Sequence, residues 1–274
     1  MLGFRSRHKL SPAVQISQRS LYHYYKDCAK KGSVPSLKDT GFKVFSQFEE
    51  DGILLFLFAV LGETNKTFVD IGSNDGVNSN CTNLAVHFGW RGLFIDGDEH
   101  CIERGKRFYN KYPNPWNYKP KFSLAKVKRE NINDIIKKQG FEGEIDLLSI
   151  DIDGNDYWIW DALTIVQPRV VIIETHIEFG MNNIVVPYDA NYVYPGKHPA
   201  YHGASPVAME KLAKKKGYRL VGSNNYGHNL IFVKNGLGEN LVPAVTVEST
   251  LQHPWATESF KKFEEIKDWK YENG

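Results

Sequence analysis

The chain predicts an α/β fold of Rossmann-like type: a mostly parallel, seven-stranded sheet with a C-terminal antiparallel hairpin. Three observations predict it. Short apolar, β-prone runs end in acid at Asp70, Asp96, Asp151 and Glu174. Stretches able to wind into helices separate those runs. Two further β-prone segments, 218–222 and 229–233, are joined only by the polar turn 223–228 and read as a closing hairpin.

Composition narrows the function. The 274 residues are 42% hydrophobic and 24% charged, as in an ordinary globular protein. A net charge of +2 without a basic stripe argues against a nucleic-acid binder. No apolar run approaches the roughly 20 residues that span a bilayer. The basic start, 1–9, has no apolar stretch behind it, so no secretory signal is expected. Cys28, Cys81 and Cys101 are odd in number, far apart and without a Cys-x-x-Cys pair. That suits a reducing cytoplasm and offers neither a zinc site nor a disulfide framework. The expected organisation is an N-terminal helical extension (1–44), a main domain (45–240) and a C-terminal helical extension (241–274).

A helix is expected from 10 to 31, ended by Gly32 and Pro35. Its Tyr22, His23, Tyr24, Tyr25 and Lys26 suit packing on the domain or on a second subunit. A membrane-surface role would need a sustained basic amphipathic pattern, which is missing. Ser46 and Glu49 fit a capping box opening an apolar helix. Gln47 and Asp51, on the same segment, are positioned to face a ligand.

After the first strand comes Asp70-Ile71-Gly72-Ser73-Asn74-Asp75-Gly76, then a helix from 77 to 88. Asp-x-Gly-x-x-x-Gly differs from the dinucleotide fingerprint, which seats a pyrophosphate on a helix N-terminus. A carboxylate at the strand end suits a cationic or hydroxyl-bearing ligand instead. S-adenosylmethionine offers both, in its sulfonium, α-amino group and ribose. An ordinary glycine turn explains the same letters. Asp96, however, closes the second strand about 20 residues further on, the separation at which an acid accepts ribose hydroxyls. A helix (101–109), a turn-rich loop (112–120) and a third strand (122–127) follow. Glu130 and Asn131 then open a helix through Lys138, as caps or as partners of a base.

The fourth strand ends in Asp151-Ile152-Asp153, whose two carboxylates share a face if the strand persists. Such a pair repels unless a proton or cation intervenes, and it can hold a hard divalent ion. The alternative is that one of the two caps the helix near Tyr157. The fifth strand ends in Glu174 and reaches His176 two residues on. Neighbouring strand ends bring Asp151, Asp153, Glu174 and His176 together as a candidate site for Mg²⁺, Mn²⁺ or Fe²⁺. His176 is equally a candidate general base, although a lone histidine is commonly structural. The long segment 180–202, rich in Tyr and Pro, reads as a lid or substrate surface suited to stacking on sugar faces, or as plain loop packing. Ser205 and Pro206 start a helix over 207–216. A last helix, 258–269, spaces Phe260, Phe263, Ile266 and Trp269 along one face, for docking on the body or on a homodimer partner.

The strings Val69-Asp70-Ile71-Gly72-Ser73-Asn74-Asp75-Gly76, Phe94-Ile95-Asp96-Gly97-Asp98, Leu148-Ser149-Ile150-Asp151-Ile152-Asp153-Gly154 and Gly203-Ala204-Ser205 resemble an FkbM-type methyltransferase of the class I fold. So does the segment from Ser46 to Gly52. The resemblance implies that Asp70, Gly72, Asn74 and Gly76 surround the methionine part of S-adenosylmethionine, and Gln47, Ser73 and Asp151 are further candidate cofactor contacts. It implies Asp96 on the ribose and Asn131, after Glu130, near the adenine. The chain departs from the family where Asp96-Gly97 replaces a frequent Glu-Pro and His176 an occasional Asn. The expected reaction is O-methylation of a sugar, nucleotide sugar or polysaccharide. Asp153, His176 and His202 are the candidate bases, and Asp151, Asp153, Glu174 and His176 the candidate ligands of Mg²⁺ or Mn²⁺. Two alternatives remain: a metal-dependent glycosyltransferase using Asp-x-Asp, and a non-catalytic glycan-binding protein.

Overall fold

The computed structural model describes residues 8–112 and 118–274. The basic start up to residue 7, and residues 113–117 of the expected turn-rich loop, lie outside the described residues. The strands are β1 (Thr67–Ile71), β2 (Arg91–Asp96), β3 (Lys121–Leu124), β4 (Gly143–Ile150), β5 (Val166–Glu174), β6 (Tyr218–Ser223) and β7 (Asn229–Lys234). They form a seven-stranded sheet in the order β3-β2-β1-β4-β5-β7-β6. The pairs β1–β2, β2–β3 and β4–β5 are parallel; β5–β7 and β6–β7 are antiparallel. This is the mostly parallel sheet with a closing hairpin that the strand-end acids and the terminal β-run predict.

The helices are α1 (Pro12–Lys30), α2 (Glu50–Leu61), α3 (Thr82–Phe88), α4 (Glu99–Lys111), α5 (Ile132–Lys138), α6 (Asp156–Ala162), α7 (Pro206–Lys215), α8 (Val247–Thr250) and α9 (Pro254–Phe263). No helix among the described residues is long and apolar enough to cross a membrane. The chain divides into two compact units. One takes in the chain up to Lys126 with Gly238–Pro243, the other Val127–Leu237 with Ala244–Gly274.

In the first unit, α2 is apolar almost all round and correspondingly buried from Glu50 to Ala59. The N-terminal helix packs on it, with Tyr25 edge-on to Phe56 at 5.2 Å. The expected Ser46–Glu49 capping box is not formed. The N-cap of α2 is Glu49, three residues later than Ser46, and the helix's own Asp51 reaches back so that one oxygen accepts N–H bonds from Val44, Phe45 and Ser46. A carboxylate that collects three backbone donors outcompetes the two-bond box. Asp51 is therefore buried in the first turn of α2, with that oxygen turned to the preceding loop. Helix α3 begins at Thr82 rather than 77, because residues 77–81 continue the turn.

In the second unit, β4 and β5 read as nearly continuous apolar runs because both faces are covered. Asp146 of β4 and Arg169 of β5 form an ion pair at 3.3 Å inside that core. The expected C-terminal helix is shorter and earlier than its stripe suggests. Helix α9 ends at Phe263, and a run of turns carries Ile266 into a cluster with Phe179 and Ala200. Trp269, the last residue of the stripe, stays partly exposed.

Candidate functional site

Two groups of side chains sit at strand ends, one in each unit. In the first, the turn after β1 is tied to the end of β2. The N–H groups of Gly72 and Ser73 both donate to the Ile95 carbonyl, at 2.9 and 3.1 Å. Gly72 takes φ +81, which favours glycine. Asn74 follows at φ +51, a left-handed conformation uncommon for a residue with a side chain. Its N–H donates to the Asp96 carboxylate at 2.7 Å, and the Asp98 N–H reaches the other Asp96 oxygen at 2.8 Å. The turn and the second acid thus meet at one place.

Asp70 is buried and accepts from the Ser79 hydroxyl. Ser73 is buried too. Gly76 lacks a side chain where Phe94 packs: a methyl there would come within 2.9 Å of the ring. Gln47 is exposed in the loop before α2. Sequence reasoning gave no role to Asp75 or Arg104, yet they brace this turn. One Asp75 oxygen accepts from the Val77 and Asn78 N–H groups, and the other pairs with Arg104 Nε at 2.8 Å. An acid immediately before the second glycine was the available signal.

The donor set fits S-adenosylmethionine. Asp96 is half-buried and, ionised, it offers acceptors beyond those its backbone donors occupy, as a ribose diol needs. Burial raises its pKa, against the pull of the N–H groups of Asp98 and Asn74.

In the second unit β4 stops at Ile150, so Asp151 and Asp153 do not share a face of a persisting strand. The chain turns instead, with Asp153 at φ +53. Asp156, at the start of α6, fixes that turn: its two oxygens accept from Ile152 N–H at 2.8 Å and Gly154 N–H at 2.9 Å. Neither Asp151 nor Asp153 caps α6, whose N-cap is Asn155 without a side-chain cap bond. Ligand oxygens of Asp151, Asp153 and Glu174 nevertheless come within 4.8 Å of one another. Glu174 lies next to Asp151 because β5 pairs with β4 in the register Ile150↔Ile173. Burial first, and then the charges of Asp151, Asp156, Asp153 and Glu178, push the Glu174 carboxyl well above its ordinary range. One of its oxygens is buried without a hydrogen-bond partner. A divalent cation would relieve both conditions, so the residues fit one.

His176 is not among these converging ligands. Its ring lies against His202, with centroids 3.7 Å apart, and its Nδ1 faces Glu178 at 3.5 Å. Both histidines are buried, at 8% and 4% exposure. The pair needs Gly203, which has φ +69 and where any side chain would strike the His176 ring. Burial and the neighbouring His176 hold His202 down to about 3, so it is neutral at ordinary pH. Glu178 settles at about 2: burial alone would raise it, but the adjacent His176 imidazole prevails, helped by Lys262. Nothing in the sequence marked Glu178, which becomes a neighbour of His176 only through the 3₁₀ turn Ile177–Phe179.

The segment 180–202 is a closed loop. Its base is the bridge Val185↔Ala204, and its body is tied down by Trp158 Nε1 donating to Val186 O and Asn155 Nδ2 donating to Asp189 O, both at 2.9 Å. Asn131 accepts from Lys128 N–H at 2.7 Å, closing the turn before α5, and Glu130 accepts from the Tyr188 hydroxyl at 2.9 Å.

Comparison with known proteins gives likenesses of fold. No family model matches the chain, and no curated protein matches it. Among solved structures, it is similar to an S-adenosylmethionine-dependent methyltransferase from Clostridium acetobutylicum ATCC 824, with 11% identity, TM-score 0.44, and coverage of 80% of this chain and 99% of that one. The methyltransferase domain of bacterial CtHen1 has 14% identity and TM-score 0.42, over 67% of this chain and 96% of that chain. CalO1, a methyltransferase in calicheamicin biosynthesis solved with SAH bound, has 17% identity and TM-score 0.37, over 65% and 52%. At these identities the chemistry has to be argued from this chain's own residues.

Proposed function

We propose that the protein is an S-adenosylmethionine-dependent O-methyltransferase of FkbM type, acting in the cytoplasm on a hydroxyl of a sugar, nucleotide sugar or polysaccharide. The observation that carries the cofactor is the 2.7 Å bond from Asn74 N–H to Asp96. It joins the glycine turn and the second strand-end acid into one cradle, with acceptors for a ribose beside backbone that a ligand can approach.

Gln47, Gly72, Ser73, Asn74 and Gly76 would surround the methionine moiety, and buried Asp70 would supply the negative charge that suits its cationic centre. Asp96 would hold the ribose. Bound there, S-adenosylmethionine supplies an electrophilic methyl. Asp151, Asp153 and Glu174 would hold Mg²⁺ or Mn²⁺, which supplies Lewis acidity toward the acceptor hydroxyl. The protein's own task is to orient that hydroxyl and remove its proton. Among Asp153, His176 and His202, the last is a weak proton acceptor because it is held near 3. His176 is the better candidate, since Glu178 at 3.5 Å offers a counter-charge to the imidazolium that proton transfer leaves. The three cysteines are free, in keeping with a reducing compartment.

Calorimetry tests the cofactor directly. The wild type should bind S-adenosylmethionine, and Asp96→Ala should weaken it about tenfold to a hundredfold, as for lost charge-assisted hydrogen bonds. No binding by the wild type, or equal binding by Asp96→Ala and Asp70→Asn, rejects the reading. Thermal protection by a UDP-sugar with Mn²⁺, and none by S-adenosylmethionine, would point to a glycosyltransferase instead.

A further inference from the structure

Among the buried polar atoms of the second unit that lack a hydrogen-bond partner are one oxygen of Glu174, both ring nitrogens of His176, Nδ1 of His202 and the hydroxyl of Tyr192. Folded chains rarely leave such groups unsatisfied unless a water, an ion or a ligand completes them. Tyr192 has no part in the chemistry set out above.

Its position is built rather than incidental. The ring sits in a slot between two glycines: a methyl on Gly154 would strike it, and one on Gly196 would come within 2.6 Å. The ring also lies nearly parallel to His202, with centroids 6.1 Å apart. Gly154 directly follows Asp153, so the slot places the phenol beside the acids. Its charged neighbours include Asp153, Glu174 and Asp156, yet none of them hydrogen-bonds its hydroxyl. Burial, reinforced by Asp153, keeps the phenol neutral and hence a donor.

The geometry points to Tyr192 as an acceptor-binding, specificity-determining residue, whose hydroxyl donates to an oxygen of a neutral, hydroxyl-bearing sugar ring. This rests on the proposed methyl transfer and names the part of the chain that would select its acceptor. The surrounding chemistry chooses among ligand classes. The four carboxylates of Asp151, Asp153, Glu174 and Glu178 outnumber the charge of one divalent cation, so the site still opposes a phosphate or a carboxylate. An ammonium ion offers no acceptor to the phenol proton. A sugar hydroxyl both donates and accepts, matching a neutral imidazole as well as a phenol. The exposed ring of Tyr194, edge-on to His202 at 5.3 Å, adds an aromatic surface for the sugar's apolar face.

Tyr192→Phe isolates the hydroxyl, because phenylalanine fills the same slot between the two glycines. The probes are methyl glycosides of gluco, galacto, manno and rhamno configuration, titrated by ligand-observed NMR, with sugar phosphates as charged comparators. At least one glycoside should bind the wild type and bind the variant about tenfold more weakly, with melting temperature and S-adenosylmethionine affinity unchanged. Equal affinity for both proteins, no glycoside bound by the wild type, or tighter binding of the phosphates each overturns the assignment. Tyr192-dependent glycoside binding without S-adenosylmethionine binding would leave the assignment standing and remove the methyltransferase reading. S-adenosylmethionine binding with glycoside affinity indifferent to Tyr192 would do the reverse.

Discussion

Asp51 shows how a single residue can set the pH response of the fold. Burial pushes its carboxyl up to about 6, against the pull of the N–H groups of Ser46, Phe45 and Val44. An unfolded aspartate titrates near ~3.9. Between those values the folded chain keeps a proton that the unfolded chain has lost. The stabilisation is therefore fully present below about pH 4 and is lost as pH rises through about 6. At about 1.4 kcal/mol per unit the difference is roughly 3 kcal/mol. Asp51→Asn keeps an oxygen for the backbone donors and cannot ionise. Its melting temperature should gain on that of the wild type as pH is raised from 4 to 7; parallel curves would refute the assignment. Two of the three non-glycine residues at positive φ among the described residues, Asn74 and Asp153, are also candidate site residues. Each such conformation costs about 1–3 kcal/mol and is retained where surrounding bonds enforce it, here those to Asp96 and from Asp156.

Among the elements, β4 and β5 depend on a charged contact inside an apolar layer. Removing one partner of a buried ion pair leaves the other uncompensated and costs about 3–5 kcal/mol, whereas replacing both with apolar groups is often neutral. Asp146→Ala should therefore lower the melting temperature by roughly 10 °C, at about 2–4 °C per kcal/mol. Asp146→Leu combined with Arg169→Met should recover most of that loss in a thermal melt. The element scale also separates what the sequence discloses from what it conceals. Strands were legible because an apolar run ending in acid is a local pattern, and α7 because Ser205 and Pro206 mark its start. The first turn of α2 was misread because Asp51 has more donors within reach than a capping box provides. The stripe from Phe260 to Trp269 implied a longer helix because turns can carry an apolar residue inward as well as a helix can.

For the whole molecule, the parallel sheet with its closing hairpin followed from the order of elements, and each candidate cluster followed from acids at strand ends. Glu178, Asp156 and Tyr192 did not: Asp156 and Glu178 act through local turns that no motif marks, and Tyr192 meets Gly154 only in the folded chain. The paired strand ends also fix how a ligand should be felt globally. Anything that binds the folded chain and not the unfolded one stabilises the entire fold by mass action. Mn²⁺ at about 100 times its dissociation constant should add roughly 2.7 kcal/mol. That corresponds to a rise in melting temperature of several degrees. The rise should be absent in Asp153→Asn combined with Glu174→Gln. An equal rise in that variant would move the cation elsewhere.

The grip of Asp156 on the turn after β4 has a kinetic side. Backbone amides in a polar turn ordinarily trade their hydrogens with solvent quickly, because nothing holds them closed. Here the amides of Ile152 and Gly154 are bound to a carboxylate that is itself buried. Their hydrogens can leave only when the start of α6 opens with them, so this irregular stretch should exchange at the pace of the core. The acidic cluster is thus shaped before anything arrives to occupy it, and a ligand would meet a surface already set rather than one it must organise.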